Sequence, residues 1–98
     1  MRVFYKVDSI GRICIPAQMR HALQLESGSP LHVEKNGMSL VIEPGYSVLQ
    51  NGIPRFLDAL GRISLPIEWR IALKLNSRCH ISFRFDANGK KIILEKVV

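Results

Sequence analysis

The stretch Val7–Pro16, VDSIGRICIP, returns fifty positions later as Leu57–Pro66, LDALGRISLP. At this offset, residues 8–27 and 58–77 are identical at ten of twenty positions. A further stretch, NGMSLVIE, returns as NGKKIILE after an insertion of two residues. The sequence therefore predicts a tandem duplication, with repeats at residues 1–43 and 55–98 and a linker at residues 44–54.

The length of the chain constrains how the two repeats are arranged. The 98 residues make one ordinary domain, and half of that length is too short to build an independently stable core. Hydrophobic residues make up 47% of the chain and charged residues 22%, which is typical of a folded globular protein. We therefore expect the two repeats to share one core.

Residue patterns within each repeat predict a hairpin, a short helix and a second hairpin. Apolar Ile13 and Ile15 alternate with Arg12 and Cys14, which is the period of a strand with one buried face. The preceding segment, VFYKV, is predicted to be its partner strand. The predicted fold class is mainly β with two short helices, in which eight strands close into one pseudo-twofold barrel.

Local signals set the expected ends of these elements. Pro16 suits the first turn of a helix over AQMRHAL, which Ser27-Gly28 is expected to end. Asn36-Gly37 predicts a type I′ hairpin turn, because both of its central positions need a positive φ.

The positive charge of the chain is concentrated in the repeated segments. The net charge is +6, and residues 2–21 contribute +3 of it while residues 53–74 contribute +2. Clustered basic residues favour a polyanionic partner, whereas a basic balance alone is weak evidence.

The repeated pattern, D-x-x-G-R-I-x-[IL]-P-x-x-x-R-x-A-L-x-L, closely resembles the AbrB/SpoVT family of bacterial and archaeal DNA-binding domains. The resemblance covers nearly the whole chain. It implies a swapped-hairpin barrel, in which N-terminal hairpins exchange between two copies and present a basic surface to DNA. Members with one motif use two chains, and the resemblance implies that a second repeat can replace the second chain. Pairing within one chain and pairing between two chains both stay open.

The resemblance assigns DNA contacts to the basic positions of both motifs. These are Lys6, Arg12, Arg20, His21, Arg55, Arg62 and Arg70. A planar guanidinium can bind guanine O6 and N7 together, which suits arginine at these positions. His21 and Ile71 stand where the family often has a second arginine, so we expect unequal half-surfaces and an imperfectly palindromic site.

The turn residues that occur in both repeats have a structural interpretation beside the functional one. Gly11 and Gly61 are predicted to take a positive φ rather than to contact a ligand. Asp8 and Asp58 are interpreted as turn formers rather than as catalytic acids. Local pairing of Arg12 and Arg62 with these aspartates is an alternative to DNA contact, and the two roles are compatible.

The remaining reactive residues carry no predicted chemistry. Cys14 and Cys79 lack CxxC spacing and are predicted to be small buried residues. His32 and His80 are predicted to face solvent on strands, and Trp69 to pack in the core or at its rim rather than to stack on bases. We predict no catalytic residue, metal site, cofactor or small-molecule ligand, and no enzymatic activity.

The expected function is a transcriptional regulator that binds double-stranded DNA, with homo-oligomerisation possible. No apolar run long enough for a membrane span and no secretory signal occur in the sequence, so the expected location is the cytoplasm, at the nucleoid. One alternative is an antitoxin-like protein, although only Lys96–Val98 follow the last predicted strand residue where antitoxins carry a long tail. The other is an interaction module that does not bind DNA.

Overall fold

The computed structural model describes residues 5–45 and 54–97, which form eight strands and two short helices. The elements of the first half are β1 Tyr5–Lys6, β2 Arg12–Cys14, α1 Ala17–Ala22, β3 Pro30–Asn36 and β4 Ser39–Pro44. Those of the second half are β5 Arg55–Phe56, β6 Arg62–Ser64, α2 Ile67–Ala72, β7 His80–Asp86 and β8 Lys91–Lys96. The prediction of a mainly β fold with two short helices is confirmed. Most of the predicted linker, residues 46–53, lies outside the described residues.

The strands pair between the two halves of the chain. A six-stranded antiparallel sheet has the order β1-β7-β8-β4-β3-β5, and β2 pairs with β6 in a separate two-stranded ribbon. At one end of the sheet β1 from the first half pairs with β7 from the second, and at the other end β5 pairs with β3. At the centre β4 pairs with β8. Neither half therefore completes its own hydrogen bonding. The prediction that VFYKV is the partner strand of the Arg12–Ile15 segment was wrong, because β1 pairs with β7 and β2 pairs with β6.

The core lies between the curled sheet and the ribbon. From the ribbon, Ile13 and Ile63 are opposite each other and are each 1% exposed. From the sheet, Leu40 and Ile42 of β4 meet Leu94 and Ile92 of β8, and all four are fully buried. Each of these strands buries alternate residues, so the fold has two layers with one shared apolar interior.

The first long hairpin uses a different turn from the one that the sequence predicts. Asn36 pairs with Ser39 inside the ladder, so the two-residue loop is Gly37-Met38. Gly37 has φ +63°, whereas Met38 is not among the residues with positive φ. This is the pattern of a type II′ turn, and the prediction of type I′ was wrong. A loop at Asn36-Gly37 would pair Val33 with Leu40, whereas the observed register pairs Val33 with Ile42.

Both helices end earlier than predicted. In α1 the backbone N–H of Gln24 donates to His21 O at 3.1 Å, and that of Leu25 donates to Arg20 O at 2.8 Å. Gln24 has φ +55°, so these bonds form a Schellman motif that ends the helix well before Gly28. The equivalent motif in α2 has Lys74 at φ +54°.

Glycine at position 24 is expected to stabilise the protein, because the left-handed conformation costs a non-glycine residue roughly 1 kcal/mol. Urea denaturation of Gln24→Gly should show an increase of up to about that amount in the free energy of unfolding. The control is Ala22→Gly in the same helix, which should lose up to about 1 kcal/mol. A loss of stability in both variants would contradict the assigned helix end.

Candidate functional site

The ribbon formed by β2 and β6 presents polar side chains on its outer face. Ile13 and Ile63 point into the core, so their neighbours Arg12, Cys14, Arg62 and Ser64 point outward. Arg12 lies opposite Ser64, and Arg62 lies opposite Cys14. The two arginines therefore occupy diagonal positions, which are about 7–8 Å apart in an antiparallel pair. We call these four outward residues the ribbon face.

Each arginine of the ribbon face is fixed by an aspartate in its own turn. Asp8 Oδ1 accepts hydrogen bonds from the backbone N–H of Ile10 at 3.0 Å and of Arg12 at 2.8 Å. Asp8 Oδ2 accepts from Arg12 Nε at 2.6 Å. The guanidinium is thus held through Nε. Within residues 8–12, its terminal nitrogens make no hydrogen bond.

The second turn repeats this arrangement. Asp58 Oδ1 accepts from the backbone N–H of Leu60 at 2.9 Å and of Arg62 at 2.8 Å, and Oδ2 accepts from Arg62 Nε at 2.8 Å. The side chains of Arg12 and Arg62 are 31% and 30% exposed. Local pairing of the two arginines, expected from sequence as an alternative to DNA contact, is therefore present, and both side chains still reach the surface.

These hydrogen bonds lower the pKa of both aspartates below the ordinary value of 3.8. The largest cause at Asp8 is the backbone N–H of Arg12, and at Asp58 that of Arg62; partial desolvation opposes it, and the arginine side chains add to the lowering. A carboxylate with a lower pKa in the folded state stabilises the fold above its unfolded pKa. That contribution is lost as the pH falls through the folded pKa.

Acid unfolding should therefore depend on the two aspartates. In wild type, the free energy of unfolding should fall as the pH is lowered below about 5, as these carboxylates begin to take up protons. The variant Asp8→Asn/Asp58→Asn should be less stable at neutral pH and should show a shallower fall. Chemical denaturation across a pH series measures both quantities, and parallel curves for the two proteins would contradict the assigned role.

Arg20 and Arg70 cross from each helix to the turn of the opposite half. The guanidinium of Arg70 lies against Gly11, and that of Arg20 lies against Gly61. These glycines have φ values of +85° and +78°, as the turns were expected to require. A Cβ on either glycine would overlap the guanidinium. The two glycines thus provide both the backbone conformation and the space for an arginine.

Backbone hydrogen bonds join the same two turns across the halves. The N–H of Ile15 donates to Gly61 O, and that of Leu65 donates to Gly11 O, both at 2.9 Å. Since Gly61 precedes Arg62 and Gly11 precedes Arg12, each helix arginine lies beside an arginine of the ribbon face. Four arginines, two from each half, therefore gather around one two-stranded ribbon.

The environments of the two crossing arginines differ in one detail. Arg70 Nε donates to Leu65 O at 3.3 Å. Arg20 Nε is buried and has no hydrogen-bond partner in the described part of the chain. A buried donor without a partner costs roughly 1–3 kcal/mol, so the first half holds its arginine less favourably than the second.

Gly11 should be far more sensitive to substitution than Gly28. Both have a positive φ, but a Cβ on Gly28 would meet nothing within 4 Å. Gly28→Ala should lose about 1–2 kcal/mol of stability from backbone strain alone. Gly11→Ala should lose more, because it also displaces Arg70, and adding Arg70→Ala should recover part of the difference. Thermal or urea unfolding of these three variants and of wild type tests this, and equal losses at both glycines would contradict it.

The other predicted site residues lie away from the ribbon face. Lys6 is exposed on β1 and pairs with His80, and His21 is exposed on α1. Arg55 of β5 pairs with Leu31 of β3, and its buried Nε has no hydrogen-bond partner among residues 5–45 and 54–97. Its counterpart in the first half is Tyr5. The structure therefore brings together four of the seven predicted residues, and it leaves three at the periphery.

Sequence reasoning misjudged Cys14 and missed two exposed apolar residues. Cys14 is exposed, so the prediction that it is buried was wrong. The alternation that buries Ile13 also turns Cys14 outward, and its Sγ lies 3.6 Å from Leu60 O. Ile10 and Leu60, at the tips of the two turns, are 63% and 64% exposed. The sequence signal for these two residues was that both repeats have an apolar residue at the same turn position.

Two further predictions concern ring side chains. Trp69 is partly buried and packs against the core, as predicted. His32 lies on the outer side of β3, where its Nε2 is 3.6 Å from Glu34 Oε2. His80 is exposed on the outer side of β7.

The outer face of the six-stranded sheet has the opposite electrostatic character. The alternation that buries Leu40, Ile42, Ile92 and Leu94 turns their neighbours outward. The charged residues on this outer face are Lys6, Glu34, Glu43, Arg84, Asp86, Lys91 and Glu95. Four carboxylates thus face three cations, one of which is partly compensated by the 3.5 Å contact between Arg84 Nε and Glu95 Oε1. Around the ribbon, by contrast, four arginines outnumber the two aspartates of the turns. Positive charge therefore predominates on this side of the molecule, which we call the ribbon side.

Comparisons with protein-family models, with curated proteins and with solved structures gave no match. Within residues 5–45 and 54–97, no cluster of three or more His, Cys, Asp or Glu side chains is arranged to hold a metal ion. Neither of the short helices in the described part of the chain has the length and hydropathy needed to cross a bilayer.

Proposed function

We propose that the chain is a transcriptional regulator of the AbrB/SpoVT type that binds double-stranded DNA through its ribbon side. The observation that carries the proposal is the gathering of Arg12, Arg20, Arg62 and Arg70 around one outward-facing ribbon. Two of these arginines come from each half, so matching cations can meet two related sites on a duplex. In this proposal the protein acts in the cytoplasm, at the nucleoid.

The proposed architecture is a pseudo-twofold swapped-hairpin barrel made of two tandem repeats. Its support is the pairing of β1 with β7 and of β5 with β3, because each leading strand joins the hairpin of the opposite half. The same exchange between two chains is what the family resemblance implies. Duplication would then allow one chain to supply both halves, since these pairings occur within a single chain.

The dimensions of a two-stranded ribbon suit the major groove of B-form DNA, which admits such a ribbon. Arg12 and Arg62 are held through Nε by their aspartates, and their side chains are 31% and 30% exposed. Such a fixed guanidinium loses less conformational entropy when it binds guanine or a phosphate. The acidic outer face of the sheet is repelled by DNA, so the ribbon side is the favoured approach.

The test is fluorescence anisotropy of a labelled mixed-sequence duplex, titrated with protein across a salt series. Wild type should bind at low salt, with a slope of log K against log salt of about −0.9 for each phosphate neutralised. Arg12→Ala/Arg62→Ala should lose most of this affinity. Circular dichroism and thermal unfolding confirm that the variant is folded.

The matched control is Arg84→Ala/Lys91→Ala, which removes the same amount of charge from the outer face of the sheet. It should bind DNA at least as well as wild type does. Equal losses in the two double variants would indicate only a general effect of net charge and would contradict a ribbon site. If wild type does not bind at low salt, the proposed function is wrong, and an interaction module becomes the better interpretation.

A further inference from the structure

The two helices have the same backbone but present different surfaces. Both contain six residues and end in the same Schellman motif. The exposed positions on and just after α1 include Ala17, Gln18, His21 and Gln24. The equivalent exposed positions of α2 are Ile67, Glu68, Ile71 and Lys74. Since the fold accepts small or uncharged polar residues at all four places, it does not itself require the residues found on α2.

The exposed surface of α2 is strongly apolar at its centre. Ile67 and Ile71 are 62% and 71% exposed, and residues four apart lie on one side of a helix. Glu68 stands near the N-terminal end of this surface and Lys74 follows its C-terminal end. In chain order the four residues are Ile67, Glu68, Ile71 and Lys74, so the acidic group lies in the first turn of the helix and the basic group just beyond its last residue. We call these four residues the α2 face.

We propose that the α2 face is a homodimer contact, in which the helices of two copies pack antiparallel across a twofold axis. Ile67 and Ile71 of one copy would pack against those of the other. The antiparallel arrangement brings Glu68 of each copy towards Lys74 of its partner copy. The face is therefore complementary to itself, as a twofold interface requires.

A second copy fits this face better than a partner of uniform charge. The opposite charges of Glu68 and Lys74 cancel, whereas the chain as a whole carries +6 and two copies repel each other elsewhere. A contact between copies must therefore use a surface of low net charge with apolar residues. The first helix lacks the apolar surface and the opposite charges, because its equivalent positions hold Ala17 and His21 in place of the isoleucines and no acidic residue.

Because the proposed contact is small, we expect the dimer to be weak and reversible. A helix of six residues is about 9 Å long, so the buried area falls below that of a standard stable interface. The inference does not depend on DNA binding. Arg70 of the same helix is held against Gly11 and is not one of the residues of the α2 face.

The test is sedimentation velocity of the purified chain across a concentration series, without DNA. Wild type should shift from the mass of one 11.1 kDa chain towards that of two as the concentration rises. Ile67→Ala/Ile71→His gives α2 the residues of α1 at these exposed positions, so it should fold and remain monomeric. The control Met38→Ala removes a residue that is 74% exposed on a hairpin loop, and it should dimerise as wild type does.

Charge reversal tests the antiparallel arrangement. Glu68→Lys and Lys74→Glu should each weaken the dimer, and the double variant Glu68→Lys/Lys74→Glu should restore it. A wild type that stays monomeric throughout, or an Ile67→Ala/Ile71→His variant that dimerises normally, overturns the proposal. Failure of the double variant to recover dimerisation overturns the antiparallel pairing of Glu68 with Lys74.

Discussion

The antiparallel pairing of β2 with β6 is the constraint on which the rest of the structure depends. Its register places Ile13 opposite Ile63 beneath the surface, and these residues close the core over the large sheet. The same register brings the turns of the two halves within backbone hydrogen-bonding distance, as the bonds from Ile15 and Leu65 show. Every later feature of the ribbon side follows from this contact between distant parts of the chain.

The arginines illustrate how a structural and a binding role can coexist in one side chain. In Arg12 and Arg62, Nε bonds to an aspartate and stabilises the turn, while the rest of the guanidinium lies at the surface. In Arg20 and Arg70, the guanidinium fills the space that a glycine leaves in the opposite half. Preorganisation of this kind lowers the entropic cost of holding a ligand, because the fold has already restricted the side chains.

Local pattern was sufficient to predict the strands, the helices and the buried isoleucines from the sequence, because each depends on neighbours a few residues away. Helix ends were predicted less well, since Gln24 and Lys74 adopt a conformation that glycine would favour. The exposure of Cys14 was within reach of the alternation argument and was misjudged from residue type. The contacts of Arg20 and Arg70 with glycines of the opposite half could not be predicted from the sequence, because they depend on how the two halves pair.

The pairing of β1 with β7 also has a consequence for how the chain reaches its native state. Tyr5 lies opposite Ile81, so an edge of the sheet joins residues near the two ends of the polypeptide. Contacts so distant in sequence carry a large loop-closure cost and slow the folding reaction. On the ribosome, β1 has no partner until His80 and Ile81 have been synthesised. The apolar faces of the first half therefore stay uncovered during most of translation.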